Sequence, residues 1–166
     1  MGSGKSTLGR MLVKLKGIDF IDLDAYIENR YHKSIKELFA EYGELGFREI
    51  EKQMLHEVAD MNDVVIACGG GTPCYSDNIE YINAHGRSVW LEAPVSVLHS
   101  RLLRGKHKRP LISDLSSDDL LSFITDGLAG REVYYSQAHS RFCTSMLETE
   151  EEREITASRF IKEFFD

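Results

Sequence analysis

The feature that most constrains this chain stands at its start. Met1-Gly-Ser-Gly-Lys-Ser-Thr7 runs straight into Leu8–Leu15, whose apolar residues fall at helical spacing. Glycines closing on Gly-Lys-Ser ahead of a helix suit a polyphosphate. Successive backbone N–H groups curl around the oxyanions where the helix dipole is positive, and glycine lets the backbone approach closely and take φ > 0. Gly2, Ser3, Gly4, Lys5, Ser6 and Thr7 are therefore expected to bind nucleotide phosphates, with Lys5 bridging them and the Ser6 hydroxyl offered to Mg²⁺. The plainer alternative, a flexible Gly/Ser start, makes the helix that follows a coincidence. The segment matches only the latter part of GxxxxGK[ST]. Its first glycine would lie two residues before Met1, and the expectation is an apolar strand of about five residues upstream, placed in the sheet between Asp63–Cys68 and Arg87–Leu91. Without such a strand the 166 residues are expected to fold poorly alone.

The rest of the chain reads as βα units. Strands are predicted over Asp19–Leu23, Asp63–Cys68, Arg87–Leu91 and Arg141–Met146, and helices over Leu8–Leu15, Ile35–Tyr42, Phe47–Met61, Val95–Leu103, Leu120–Leu128 and Ile155–Phe165. Ser34 and Ser117 are candidate helix caps, Gly43, Gly86 and Gly105 candidate breaks, and Glu148–Glu154 the acidic start of the last helix. That alternation predicts one α/β domain over 1–166, a parallel sheet with helices on both faces. The net charge of −7 and pI near 5.4 argue against broad binding to nucleic acid or anionic membrane, so phosphate recognition must be local. No signal-peptide core or membrane-length apolar run is visible, so a cytoplasmic protein is expected. Cys68, Cys74 and Cys143 form no CxxC pair and read as reduced, mostly buried thiols, and the six histidines lack zinc-ligand spacing.

Several polar groups need a further account. Asp22 and Asp24 fall at i and i+2, on one side of a predicted strand end where open parallel sheets bind ligands. One could hold Mg²⁺ and the other accept the proton of an attacking hydroxyl, although Asp24 could equally cap a helix over Ala25–Tyr31. Gly69-Gly-Gly71 after the most apolar strand leaves backbone bare for a ligand, with an ordinary strand exit as the alternative. Arg48 reads as a carboxylate binder or as part of a surface ladder with Glu44 and Glu51. Arg131 reads as an anion binder or as a solvated charge beginning another helix. Residues 101–109 carry Arg101, Arg104, Lys106, Lys108 and Arg109 without an acid, which suits a flap hinged at Gly105 and tipped by Arg109; the expected lid spans about 105–117, weakly apolar and mobile.

In this order, GSGKST, FIDLD, FREIE, ACGGGT, KRPL and REVYY resemble the shikimate kinase family from Met1 to about Tyr135. The resemblance implies a P-loop NTPase three-layer fold and transfer of the ATP γ-phosphoryl to the 3-hydroxyl of shikimate, a step of chorismate and aromatic amino-acid biosynthesis. It implies that Asp24 binds the substrate hydroxyls and acts as or orients the base, that Asp22 with Ser6 holds Mg²⁺, and that Arg48 and Arg131 grip the shikimate carboxylate. Gly70 and Gly71 meet the substrate through backbone, within a shikimate-binding region of about 24–61 and beyond. Lys5 and Arg109 supply catalytic charge, and Arg101 or Arg104 stacks on adenine. The implied partners are shikimate and ATP, with no nucleic acid or membrane, and the implied state is a monomer. Two alternatives stand beside it: another small-metabolite kinase such as a gluconate kinase, and a non-catalytic kinase-like module.

Overall fold

The computed structural model describes residues 1–106 and 112–166. Helix α1 (Lys5–Lys16) is entered through left-handed backbone at Gly2 (φ 76°) and Gly4 (φ 86°), the second being its N-cap. A β-carbon would be strained at both positions, so glycine is what lets the chain curl ahead of the helix. The helix lies directly on strand β1 (Asp19–Asp22): a β-carbon on Gly9 would come within 2.1 Å of the Phe20 ring.

The chain passes from β1 into α2 (Leu23–Tyr31) and then α3 (Ile35–Ala59), which Ser34 and Glu37 open with reciprocal capping bonds. The predicted helices over Ile35–Tyr42 and Phe47–Met61 are one element interrupted at Gly43, where φ is 69°. Strand β2 (Val64–Ala67) leads through the glycines to a 3-10 turn, Thr72–Cys74. Then come α4 (Asn78–His85), β3 (Val89–Glu92), α5 (Val95–Arg104), α6 (Ser117–Tyr135), β4 (Ser140–Cys143) and α7 (Glu150–Phe164). Helix α4 has no counterpart in the sequence reading, since eight residues give too few turns for a clear period. Helix α6 is capped by Ser116 with Asp119, one residue before the expected cap, and runs unbroken through Gly127 and Gly130. Arg131 therefore lies in the last turns of α6 and does not begin a helix of its own.

All strand pairing is parallel, as expected, but it forms two separate pairs. Asp19 to Asp22 face Val64 to Ala67, and Val89 to Glu92 face Ser140 to Cys143. Between β2 and β3 runs a cleft of about 1180 Å³, walled by Leu8 and Leu12 of α1 and Phe160 of α7 among others. These are the two strands between which the sequence reading puts a further strand; among the described residues none lies there.

Three apolar clusters hold the layers together. Leu23, Ile27, Leu38, Phe47, Leu55 and Val58 join α2 to α3. Leu8, Leu12, Phe142, Ala157 and Phe160 join α1, β4 and α7. Leu98, Leu102, Ile112, Leu120 and Ile124 join α5 to α6. Ile112, in the second half of the expected lid, is fully buried there. Burial of such a side chain is worth about 1.5–3 kcal/mol. The thiols are also less buried than expected: Cys143 is exposed and Cys68 and Cys74 are half-buried. No helix among the described residues is long and apolar enough to cross a membrane.

Candidate active site

The three glycines after β2 each face a different wall. A β-carbon on Gly69 would lie 3.1 Å from Thr72 Oγ1, 3.2 Å from Glu51 Oε1 and 3.3 Å from Asp24 Oδ1. On Gly70 it would lie 3.1 Å from the Tyr135 hydroxyl, 3.4 Å from Arg131 Nη1 and 3.8 Å from the Met1 nitrogen, and on Gly71 2.5 Å from Arg48 Nη2. Side chains at these positions would displace the acid and both arginines, so bare backbone is what lets β2, α2, α3 and α6 meet the start of the phosphate loop.

Asp22 ends β1 and is the N-cap position of α2, while Asp24 already lies in the helix's first turn. The two carboxylates are thus split between strand end and helix, not paired along the strand. The alternative in which Asp24 caps a helix over Ala25–Tyr31 does not hold, because the cap position is Asp22, which makes no side-chain capping bond. Ser6 Oγ donates to Asp22 Oδ2 at 2.6 Å, tying the phosphate loop to β1 through two hard oxygen atoms. Asp24 is exposed, with Gly69 and Glu51 close by. Loss of hydration raises its carboxyl above the ordinary carboxylate range, Asp22 and Glu51 add to the rise, and Lys5 opposes it.

Arg48 does not belong to a surface ladder. Its Nη1 donates to Glu51 Oε2 at 2.5 Å, Glu51 is 1% exposed, and the guanidinium lies over Phe39 and Phe47. Glu51 accepts a second bond from Thr72 Oγ1 at 2.6 Å, and Asn78 Nδ2 donates to the Thr72 carbonyl at 2.7 Å. This buried chain fixes Arg48 against the glycine loop. Arg131, from the opposite side, reaches the same loop beside Tyr135.

A family model described as shikimate kinase matches residues 1–163. The chain belongs to the shikimate kinase family. It is 49% identical over 150 residues to a shikimate kinase of Parabacteroides distasonis, covering 90% of this chain and 87% of that protein. A crystal structure of shikimate kinase from Bacteroides thetaiotaomicron matches with 44% identity and a TM-score of 0.94, over 98% of this chain and 92% of that one. Shikimate kinase from Acinetobacter baumannii in complex with shikimate matches with 31% identity and a TM-score of 0.81, over 98% and 87% of the two chains. The P-loop kinase fold expected from the sequence is the fold these structures share.

Within the family frame, the structure adds residues that the sequence reading passed over. Glu51 and Thr72 hold Arg48, and Tyr135 donates to the Gly70 carbonyl at 2.6 Å. Glu51 stood within FREIE as an ion-pair partner, and only its burial reveals it as an anchor. Arg101 and Arg104 differ from one another in a way that spacing did not show. Arg101 directs its guanidinium to Glu148, to the carbonyls of Thr144 and Ser145, and to the Gly2 carbonyl at 3.3 Å. It braces the phosphate loop against the segment after β4. Arg104 is the more exposed and also pairs with Glu148, whose carboxyl the Arg101 hydrogen bond holds below its usual range. Arg109, expected at the lid tip, lies outside the described residues, as do the middle residues of the expected lid.

Proposed function

We infer that this shikimate kinase transfers the γ-phosphoryl group of ATP to the 3-hydroxyl of shikimate, using the residues that converge on Gly69–Gly71. The observation that carries the assignment of roles is this convergence. Asp24 faces Gly69, Arg48 faces Gly71, and Arg131 and the start of the phosphate loop face Gly70.

Each residue then has a physical task. Arg48 and Arg131 bind the shikimate carboxylate, since guanidinium donors match carboxylate oxygens and charge-assisted bonds are the strong ones. Glu51 keeps Arg48 in its rotamer, and the adjacent rings limit its movement. Gly70 and Gly71 offer backbone at close range. Asp24 accepts the 3-hydroxyl proton as the oxygen bonds to phosphorus; its raised proton affinity suits that role better than an ordinary carboxylate would. Gly2, Ser3, Gly4, Lys5, Ser6 and Thr7 cradle the polyphosphate, and Lys5 neutralises charge developing on the transferred group. Ser6 Oγ and Asp22 Oδ2 are the hard-oxygen pair that would hold Mg²⁺, which when bound offsets phosphate charge. Arg109 is assigned to the transferred phosphoryl on its sequence position alone, and Arg104, the less committed of its pair, to adenine. The reading includes a cytoplasmic monomer.

A coupled ADP-release assay with ATP and Mg²⁺ tests the reaction. Turnover with shikimate, and none above background with gluconate or without an acceptor, is expected. Gluconate turnover would make this a different metabolite kinase, and no acceptor-dependent turnover would make it a non-catalytic module.

A further inference from the structure

The contact between α6 and the glycine loop joins two elements of the site through one side chain. Tyr135 is the last residue of α6. Its hydroxyl donates to the Gly70 carbonyl at 2.6 Å, and its ring packs against Trp90 of β3 at 5.6 Å between centroids. One turn earlier on the same helix, Arg131 faces the same glycine: a β-carbon on Gly70 would lie 3.1 Å from the phenol oxygen and 3.4 Å from Arg131 Nη1. The phenol and the arginine therefore meet the loop side by side, and the phenol is hydrogen-bonded to it.

We propose that Tyr135 is a positioning residue for the acceptor, orienting the Gly70–Gly71 peptide beside the Arg131 guanidinium. The proposal rests on the function proposed above. A trans peptide is planar, with its C=O and N–H directed oppositely. Holding the Gly70 carbonyl toward α6 turns the Gly71 N–H away from α6. A glycine triplet has little intrinsic preference to keep that orientation, because nothing but backbone resists rotation. Cys74 Sγ, at 3.7 Å from the same carbonyl, is too weak a donor to substitute. Burial raises the phenol's pKa while Arg131 opposes the rise, so the group stays protonated and able to donate at neutral pH. Trp90 supports the ring independently of the hydroxyl, so loss of the hydroxyl alone should leave the packing of α6 in place.

Tyr135→Phe separates positioning from packing. The expected result is a rise of about tenfold in the KM for shikimate, from one lost hydrogen bond of roughly 1.4 kcal/mol, with ATP KM, kcat and melting temperature near those of the starting protein. Shikimate KM within twofold of the starting protein, or an equal rise in both KM values, would overturn the proposal. If the Phe variant does not melt cooperatively, a fluorinated tyrosine at position 135 serves instead. Its more acidic phenol ionises within the assay range and loses its proton to donate, so shikimate KM should climb with pH while ATP KM does not; parallel profiles would count against the proposal. Lack of shikimate turnover by the unaltered protein would instead refute the proposed function, which the same experiment shows first.

Discussion

In its proposed role, Asp24 would serve chemistry at the expense of stability. Its folded-state pKa is above the ordinary value of 3.8, so across the interval between the two the folded state binds more protons than the unfolded chain. Stability then falls as pH rises through that interval and the cost persists at neutrality. Asp24→Asn is accordingly expected to melt higher than the starting protein at pH 7, the gap closing as pH drops through the carboxylate range. The same variant should lose roughly 10²-fold or more in kcat, since the proton acceptor is gone. Scanning calorimetry and the coupled assay check both, and a lower melt at pH 7 would return Asp24 to a structural role. Glu51 behaves in the opposite sense: removing its carboxylate leaves Arg48 and Thr72 without their buried partner. Glu51→Ala should cost about 3–5 kcal/mol of unfolding free energy, the range for breaking a buried pair, measurable by urea titration. The thiols separate by the same reasoning. Burial pushes Cys68 up to about 12, whereas hydrogen bonding from Ser145 lowers exposed Cys143. Because the thiolate is the nucleophile, alkylation at neutral pH should label Cys143 first and Cys68 last, as peptide mapping would show.

At the scale of elements, legibility followed the physics of period and burial. Long amphipathic segments such as Ile35–Ala59 and capped starts such as Ser34 with Glu37 announce themselves through spacing and side-chain chemistry. The short α4 does not, and the expected strand Asp19–Leu23 overshoots by one residue because Leu23 continues the apolar–polar alternation yet already begins α2. FIDLD, FREIE, ACGGGT and REVYY point to individual site residues but not to their joining: nothing in a linear pattern says that Gly69, Gly70 and Gly71 face side chains of α2, α3 and α6. The contact of α1 with β1 is of the same kind. Gly9 looks like a permissive helix residue, and only the structure places the Phe20 ring against it. Gly9→Ala should raise helix propensity and still destabilise, by about 1–3 kcal/mol of overpacking. A chemical-denaturation midpoint equal to or above that of the starting protein would mean that α1 can shift away from β1 without cost.

Over the whole molecule, a net charge of −7 surrounds a site built to take two anions. In the proposed function the conflict resolves locally: Lys5 with the loop amides would receive the polyphosphate, and Arg48 and Arg131 the carboxylate, so positive charge is needed only where the substrates carry theirs. The central claim is that the acceptor is recognised through its carboxylate by Arg48 and Arg131 while its hydroxyl faces Asp24. Comparing kcat/KM for shikimate and for its methyl ester, in the starting protein and in Arg48→Ala and Arg131→Ala, tests that claim most directly. The starting protein should favour the acid by a factor corresponding to about 2–4 kcal/mol, and each variant should lose most of that preference with ATP KM unchanged. An undiminished preference for the acid in both variants, or loss of ATP binding in step with shikimate, would contradict it.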